Sequence, residues 1–260
     1  MKKERITSYD VFRGLLLVGM VVFHLAVNLS DIKFDQNYFY LVPLGFMLFL
    51  GVILGRFLGG RNKKVMVLGA KLAVIFIAFN IPNFISKNYT PAQLAVGDQG
   101  IFSFEILLPM SVMAFASIGL GRFVKGRLAA VVLALALLSV LTYLYVIDVY
   151  SYNLSFLIYG VIGYLIGKNL DLDGIAKAMS GWAFLVVILA SLGPFLAIGR
   201  FGIVEILVIL QVLALYFLAA RVFSKNKFLI LLGKNSLALY VLHIVLIRIA
   251  VLLCHFFLAA

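Results

Sequence analysis

Residues 128–147 read LAAVVLALALLSVLTYLYVI, an apolar run without a single charge. As a helix rising 1.5 Å per residue it would be about 30 Å long, the thickness of a bilayer's hydrocarbon core. It is apolar on every side, so it is not a strand of a membrane barrel, in which polar and apolar residues alternate. The rest of the chain shares this character. Of 260 residues, 65% are hydrophobic and 12% charged, and mean hydropathy is +1.16. A soluble domain is about half apolar and about a quarter charged, because much of a small domain must stay at its surface. The sequence therefore predicts an all-α integral membrane protein.

The same test of length and polarity along the chain gives a polytopic bundle of about nine transmembrane helices, at 9–29, 38–58, 65–85, 101–121, 128–147, 152–168, 180–198, 203–223 and 235–257. The count becomes even if the stretch 228–258 is split or two spans merge. Basic residues flank the spans asymmetrically. One set of alternate connections holds Lys2, Lys3, Arg5, then Arg56, Arg61, Lys63, Lys64, then Arg122, Lys125, Arg127. Lys168 and Lys177, and then Arg221, Lys225, Lys227 and Lys234, complete that set at 16, against only Lys33, Lys87 and Arg200 in the other. Positive residues stay on the cytoplasmic side, so a cytoplasmic N-terminus and an external C-terminus are expected.

A bilayer thus accounts for the net charge of +12, and no nucleic-acid partner is expected. A lone cysteine, Cys254, excludes an internal disulfide. Three scattered histidines give no metal-site spacing. The first run lacks a small-residue cleavage site. A single multi-pass domain over residues 1–260, in the plasma (inner) membrane, is expected. LGRFLGGR at 54–61 and LGRFVKGR at 120–127 each close a span on the expected cytoplasmic face. Such a pair is ordinary helix-end capping, or else a duplicated module with a shared ligand role.

An ionisable side chain inside a span costs about 2.5–3.5 kcal/mol on insertion, which makes it a mark of function. In the first span Asp10, Arg13, His24 and Asn28 are the strongly polar residues. At 3.6 residues per turn they share a stripe about 60° wide. Arg13 and His24 lie about 16 Å apart along the axis, with Asp10 the expected partner of Arg13. The plainer alternative is that Arg13 snorkels and His24 bonds a nearby carbonyl. In the last span Ser236, Tyr240 and His243 share a face, and Asn235 stands where a residue caps a helix start. These can equally be a packed hydrogen-bond cluster. Glu105 and Glu205 lie near the outer ends of the fourth and eighth spans. There a carboxylate can orient or deprotonate an incoming acceptor, or simply rest in water.

The opening Ser8-Tyr9-Asp10-Val11-Phe12-Arg13-Gly14, running through Met20 to His24, resembles the heparan-α-glucosaminide N-acetyltransferase catalytic-domain-like family. Phe49-Leu50-Gly51-Val52 is similar to a segment of its second span. Gly233-Lys234-Asn235-Ser236-Leu237-Ala238-Leu239-Tyr240-Val241-Leu242-His243 resembles its closing motif. Arg13 and His24 also match the arginine–ten residues–histidine spacing of the wider membrane acyltransferase superfamily. The resemblance covers the first two spans and the last. It departs from the lysosomal branch, which has asparagine at the position of His24 and its catalytic histidine later. Asp31 and Asp35 stand in that later stretch here.

The resemblance implies acyl transfer from cytoplasmic acetyl-CoA (acyl-CoA) to a glycan or other amine or hydroxyl acceptor outside. Under it, His24 acts as general base or transient acetyl carrier. Asn28, Tyr240 and protonated His243 become candidate oxyanion donors. Asp10, Arg13, Arg56, Arg61, Arg122, Ser236 and Glu105 become candidate contacts to donor or acceptor, the arginines through phosphate. The alternative class is a multi-pass transporter or flippase for a small polar or lipid-linked substrate, which also uses mid-membrane polar edges. Transporters carry paired helix interruptions, whereas Pro43, Pro82, Pro91, Pro109 and Pro194 are spread singly. A non-catalytic scaffold would leave the first-span stripe without purpose.

Overall fold

A computed structural model describes residues 6–29, 41–58, 61–86, 106–124, 126–146, 152–183, 185–186 and 204–258. The helices are α1 (Thr7–Leu29), α2 (Leu41–Phe57), α3 (Asn62–Ser86), α4 (Leu107–Phe123), α5 (Arg127–Val146) and α6 (Tyr152–Asn169). They continue as α7 (Leu172–Ala178), α8 (Val204–Val222), α9 (Lys227–Lys234) and α10 (Ser236–Leu258). No strand occurs among the described residues. Helices cover eight of the nine expected spans; the seventh, 180–198, lies mostly outside the described residues.

The chain is an all-α protein with helices fit for a membrane. Two are long and apolar enough to cross one, over Thr7–Leu25 and Asn62–Ile81, and α9 with α10 makes a third if that bent pair is one span. Leu41–Phe57, Leu107–Phe123, Arg127–Val140 and Val208–Val222 are apolar but no longer than 17 residues. That length gives about 25 Å at helical rise, short of the hydrocarbon core.

Packing divides the chain into two units. The first comprises Met1–Gly45, Asp173–Leu196 and Leu210–Ala260. Its centre is α1, against which both α9 and α10 pack. Two glycines set the α1–α9 distance. A β-carbon on Gly14 would run into the backbone of Leu229, and one on Gly233 into the backbone of Asp10. The short α9 starts at Asn226, whose side chain accepts from the Leu229 amide at 3.1 Å, a standard N-cap bond.

After α9 the chain turns by 84° and continues as α10. Asn235 stands at the turn, but it does not cap α10 with its side chain as the sequence suggests. Its amide donates backwards to Leu231 O at 3.0 Å, closing α9, while its own carbonyl accepts from Leu239 and opens α10. A helix that ends here leaves carbonyls unmet, and the asparagine amide satisfies one of them.

The second unit comprises Phe46–Leu172 and Ala197–Ile209. In it α3 packs on α4, and both α4 and α5 pack on α6. The α2–α6 contact is closer still. Gly51 and Gly55 meet the backbone of Gly160 and Tyr164, while Gly163 and Gly167 meet that of Leu48 and Val52. Small residues at such spacing let helix backbones approach where lipid removes the hydrophobic drive to associate. Ser111 Oγ donates across to Gly69 O at 2.9 Å and ties α4 to α3.

Candidate functional site

The polar stripe of α1 finds its partners within the first unit. Near its start, Ser8 Oγ donates to Asp173 Oδ1 at 2.8 Å and lies 3.1 Å from the Tyr216 hydroxyl. Asp173 is also paired with Lys177 at 2.6 Å. Tyr216 packs its ring on Tyr9 and, edge-on, on Phe12. One turn on, Arg13 lies 3.8 Å from the buried Asp10 carboxylate, the partner expected for it. Its guanidinium also donates to Ser236 Oγ at the first turn of α10.

Further along the same helices, His24 Nδ1 and His243 Nε2 meet at 3.0 Å. Arg13 with Ser236 and His24 with His243 are matched in rising order, so α1 and α10 run parallel. The 84° turn makes this possible: α9 crosses α1, and the chain then swings round to follow it.

The hydrogen bonds assign the tautomers. His243 Nδ1 lies 3.3 Å from Leu239 O. A carbonyl only accepts, so this nitrogen carries the proton. Neutral His243 then offers its lone pair at Nε2, and His24 must donate from Nδ1. The basic lone pair of His24 is thereby fixed on Nε2. A proton taken up there makes an imidazolium whose Nδ1–H remains bonded to His243, and the Leu239 carbonyl holds His243 in turn. The logic is that of a base oriented by a second group. Tyr240 sets its ring edge against His243 at 5.4 Å, and Phe23 lies beside His24 at 5.4 Å. His243 is buried and His24 half-buried.

Of the candidates named from sequence, Asp10, Arg13, His24, Ser236, Tyr240 and His243 are thus brought together along the α1–α10 seam. The side chain of Asn28 and all of Glu105 lie outside the described residues. The remaining three arginines belong to the second unit. Arg56 pairs with Asp171 at 2.9 Å, Arg61 is exposed ahead of α3, and Arg122 lines a cavity of about 330 Å³ with Tyr164 and Lys168. Sequence reasoning missed Asp173 and Tyr216 as partners of Ser8, since nothing in local spacing links residues this far apart. It also missed Tyr164. Among the described residues no three His, Cys, Asp or Glu side chains converge to hold a metal ion.

Compared with known proteins, the chain matches no family model, no curated protein and no solved structure.

Proposed function

We propose that the chain is an integral membrane acyltransferase of about nine spans, moving an acetyl or longer acyl group from cytoplasmic acyl-CoA to a sugar amine or hydroxyl outside. The observation that carries this is the His24–His243 pair, with its basic lone pair fixed on His24 Nε2. That nitrogen takes the proton from the acceptor as its oxygen or nitrogen attacks the thioester carbonyl. The new C–O or C–N bond forms, the C–S bond breaks, and CoA leaves as thiolate, which regains a proton from His24. Asn28 and Tyr240 are the candidate donors to the oxyanion formed in between; His243, neutral and engaged at both nitrogens, orients His24 instead of donating as the resemblance suggested. The interval of about 16 Å from Arg13 to His24 suits an extended pantetheine arm. Parallel α1 and α10 support an odd number of spans, as first and last helices must then point the same way.

One observation favours a second function. The 84° break between α9 and α10 is the kind of discontinuous helix that transporters build around a substrate. A thermal-stability experiment on the purified protein separates the two. Saturation at 100 times the dissociation constant adds about 2.7 kcal/mol of stability. Acetyl-CoA and CoA, but not ATP, should raise the melting temperature. His24→Asn should keep that rise yet lose acetyl-CoA consumption in the presence of acceptor. No rise with either CoA species at millimolar concentration would give the site to a transporter.

A further inference from the structure

The near-repeat Leu-Gly-Arg-Phe at 54–57 and 120–123 meets at one residue of the second unit, Tyr164, the first copy at its backbone and the second at its hydroxyl. A β-carbon on Gly55 would strike the Tyr164 carbonyl, and one on Gly121 would stand 3.1 Å from the Tyr164 hydroxyl. Both glycines and Tyr164 line the cavity of about 330 Å³ at this end of α2, α4 and α6 and the start of α3. Tyr164 is 2% exposed. Among the described residues its hydroxyl has no hydrogen-bond partner, and its ring lies 6.0 Å from the Lys168 ammonium. Tyr164 lines the cavity, and its hydroxyl is a donor that a ligand there can use.

The cavity's charge is one-sided. Arg122 and Lys168 line it, and no carboxylate does. Among the described residues Arg122 has no ion-pair partner, whereas its counterpart in the repeat, Arg56, is held by Asp171. Lys168 gives one hydrogen to Val124 O at 2.6 Å and has two more to offer. Asn62 adds an amide at the first turn of α3, while Leu54, Leu58, Val65 and Ile118 make the rest of the wall apolar. A cationic end, a tyrosine hydroxyl and an apolar wall together suit a phosphate attached to a greasy chain. The volume is near the lower bound, about 300 Å³, of small-molecule sites. It fits a headgroup better than a whole nucleotide cofactor. This end is also the one expected to face the cytoplasm, where basic pockets between spanning helices hold anionic headgroups.

We propose that this cavity binds the phosphate of an anionic phospholipid, held by Arg122 and Lys168 and by a hydrogen bond donated from Tyr164. The site is independent of acyl transfer and would stand if that function were disproved.

The test uses delipidated full-length protein in detergent, read by melting temperature and by native mass spectrometry of retained lipid. The probes are phosphatidylglycerol, zwitterionic phosphatidylcholine, inorganic phosphate and CoA. Phosphatidylglycerol should stabilise saturably, with phosphatidylcholine, phosphate and CoA well behind. Tyr164→Phe removes only an unmet hydroxyl, so it should melt no lower than wild type without lipid while binding phosphatidylglycerol about tenfold more weakly. Arg122→Gln should lose more still. Equal phosphatidylglycerol affinity in wild type and Tyr164→Phe would overturn the proposal, and it does so even if Arg122→Gln does not fold. Phosphate or CoA matching the lipid at equal concentration, with the same loss in Tyr164→Phe, would overturn the lipid as its source.

Discussion

In the first unit polar side chains reach across the chain to one another: Ser8 to Asp173, Arg13 to Ser236 and His24 to His243 lie 165, 223 and 219 residues apart. In the second unit Asn80, Ser117, Ser139 and Asn169 turn back to carbonyls three or four residues earlier on their own helices. Ser111 and Lys168 reach further, though only to backbone carbonyls, and Arg56 pairs with Asp171 at the half-exposed end of the unit. Both solutions satisfy a polar group in apolar surroundings. They differ in what they specify. A bond to the helix's own carbonyl leaves every neighbour free to slide, whereas a long-range side-chain pair fixes register and leaves directed lone pairs and charges for chemistry. The second unit fixes its register by glycine contacts instead.

The largest expected effect breaks that contrast at its hinge. Gly233→Val drives a branched side chain into the Asp10 backbone, and overpacking of this kind costs about 1–3 kcal/mol, occasionally more. We expect the upper end, about 3 kcal/mol by denaturant unfolding in detergent, because the opposing atoms are backbone and cannot swing aside. Gly163→Val, against the Leu48 backbone, should cost a similar amount. The two variants part company in function. Gly233→Val should lift Ser236 away from Arg13 and abolish the proposed transfer, whereas Gly163→Val at permissive temperature should retain whatever acetyl-CoA consumption the wild type shows. Equal loss of turnover in both would mean that the first unit does not hold the chemistry by itself.

A medium effect sharpens the comparison. In a double-mutant cycle of Arg13→Ala and Ser236→Ala, the two losses should not add. Interhelical hydrogen bonds in membranes couple by about 0.6 kcal/mol on average and about 1.7 kcal/mol at most. A value near the upper end is expected because Asp10 fixes the guanidinium from the other side. Coupling indistinguishable from zero would make this pair no more specific than the local bonds of the second unit.

What was legible in the sequence follows the same division. Helices fall on eight of nine expected spans because a run of apolar residues about 20 long has few other uses. The α1 stripe was legible because helical periodicity alone puts Asp10, Arg13 and His24 on one edge. Their partners Ser236 and His243 were found by the same periodicity in α10, although nothing local could say that the two edges meet. A split of 228–258 and a helix start at Asn235 were legible, but not the 84° turn between the two helices. No proline marks it, and it depends on Gly233 lying against Asp10, a contact from the far end of the chain. Tyr164 escaped notice because an aromatic in an apolar helix reads as core. Its meaning comes only from Gly121, Arg122 and Lys168 gathered at the ends of separate helices.

The smallest effect tests the other half of the comparison with the same chemical change. Ser236→Ala and Ser139→Ala each delete one hydroxyl from a helix. Ser139 is exposed on α5, and its Oγ returns to Leu135 O at 3.0 Å. Such a bond adds no tie between helices and competes slightly with the backbone ladder, while alanine is the better helix former. Ser139→Ala should therefore change unfolding stability by less than about 0.5 kcal/mol, in either direction, and leave turnover untouched. Ser236→Ala should cost more, because the Arg13 guanidinium loses an acceptor in a half-buried position. If Ser139→Ala proved the costlier of the two, local bonds would be carrying stability in this chain, and the long-range pairs of the first unit would owe their presence to chemistry alone.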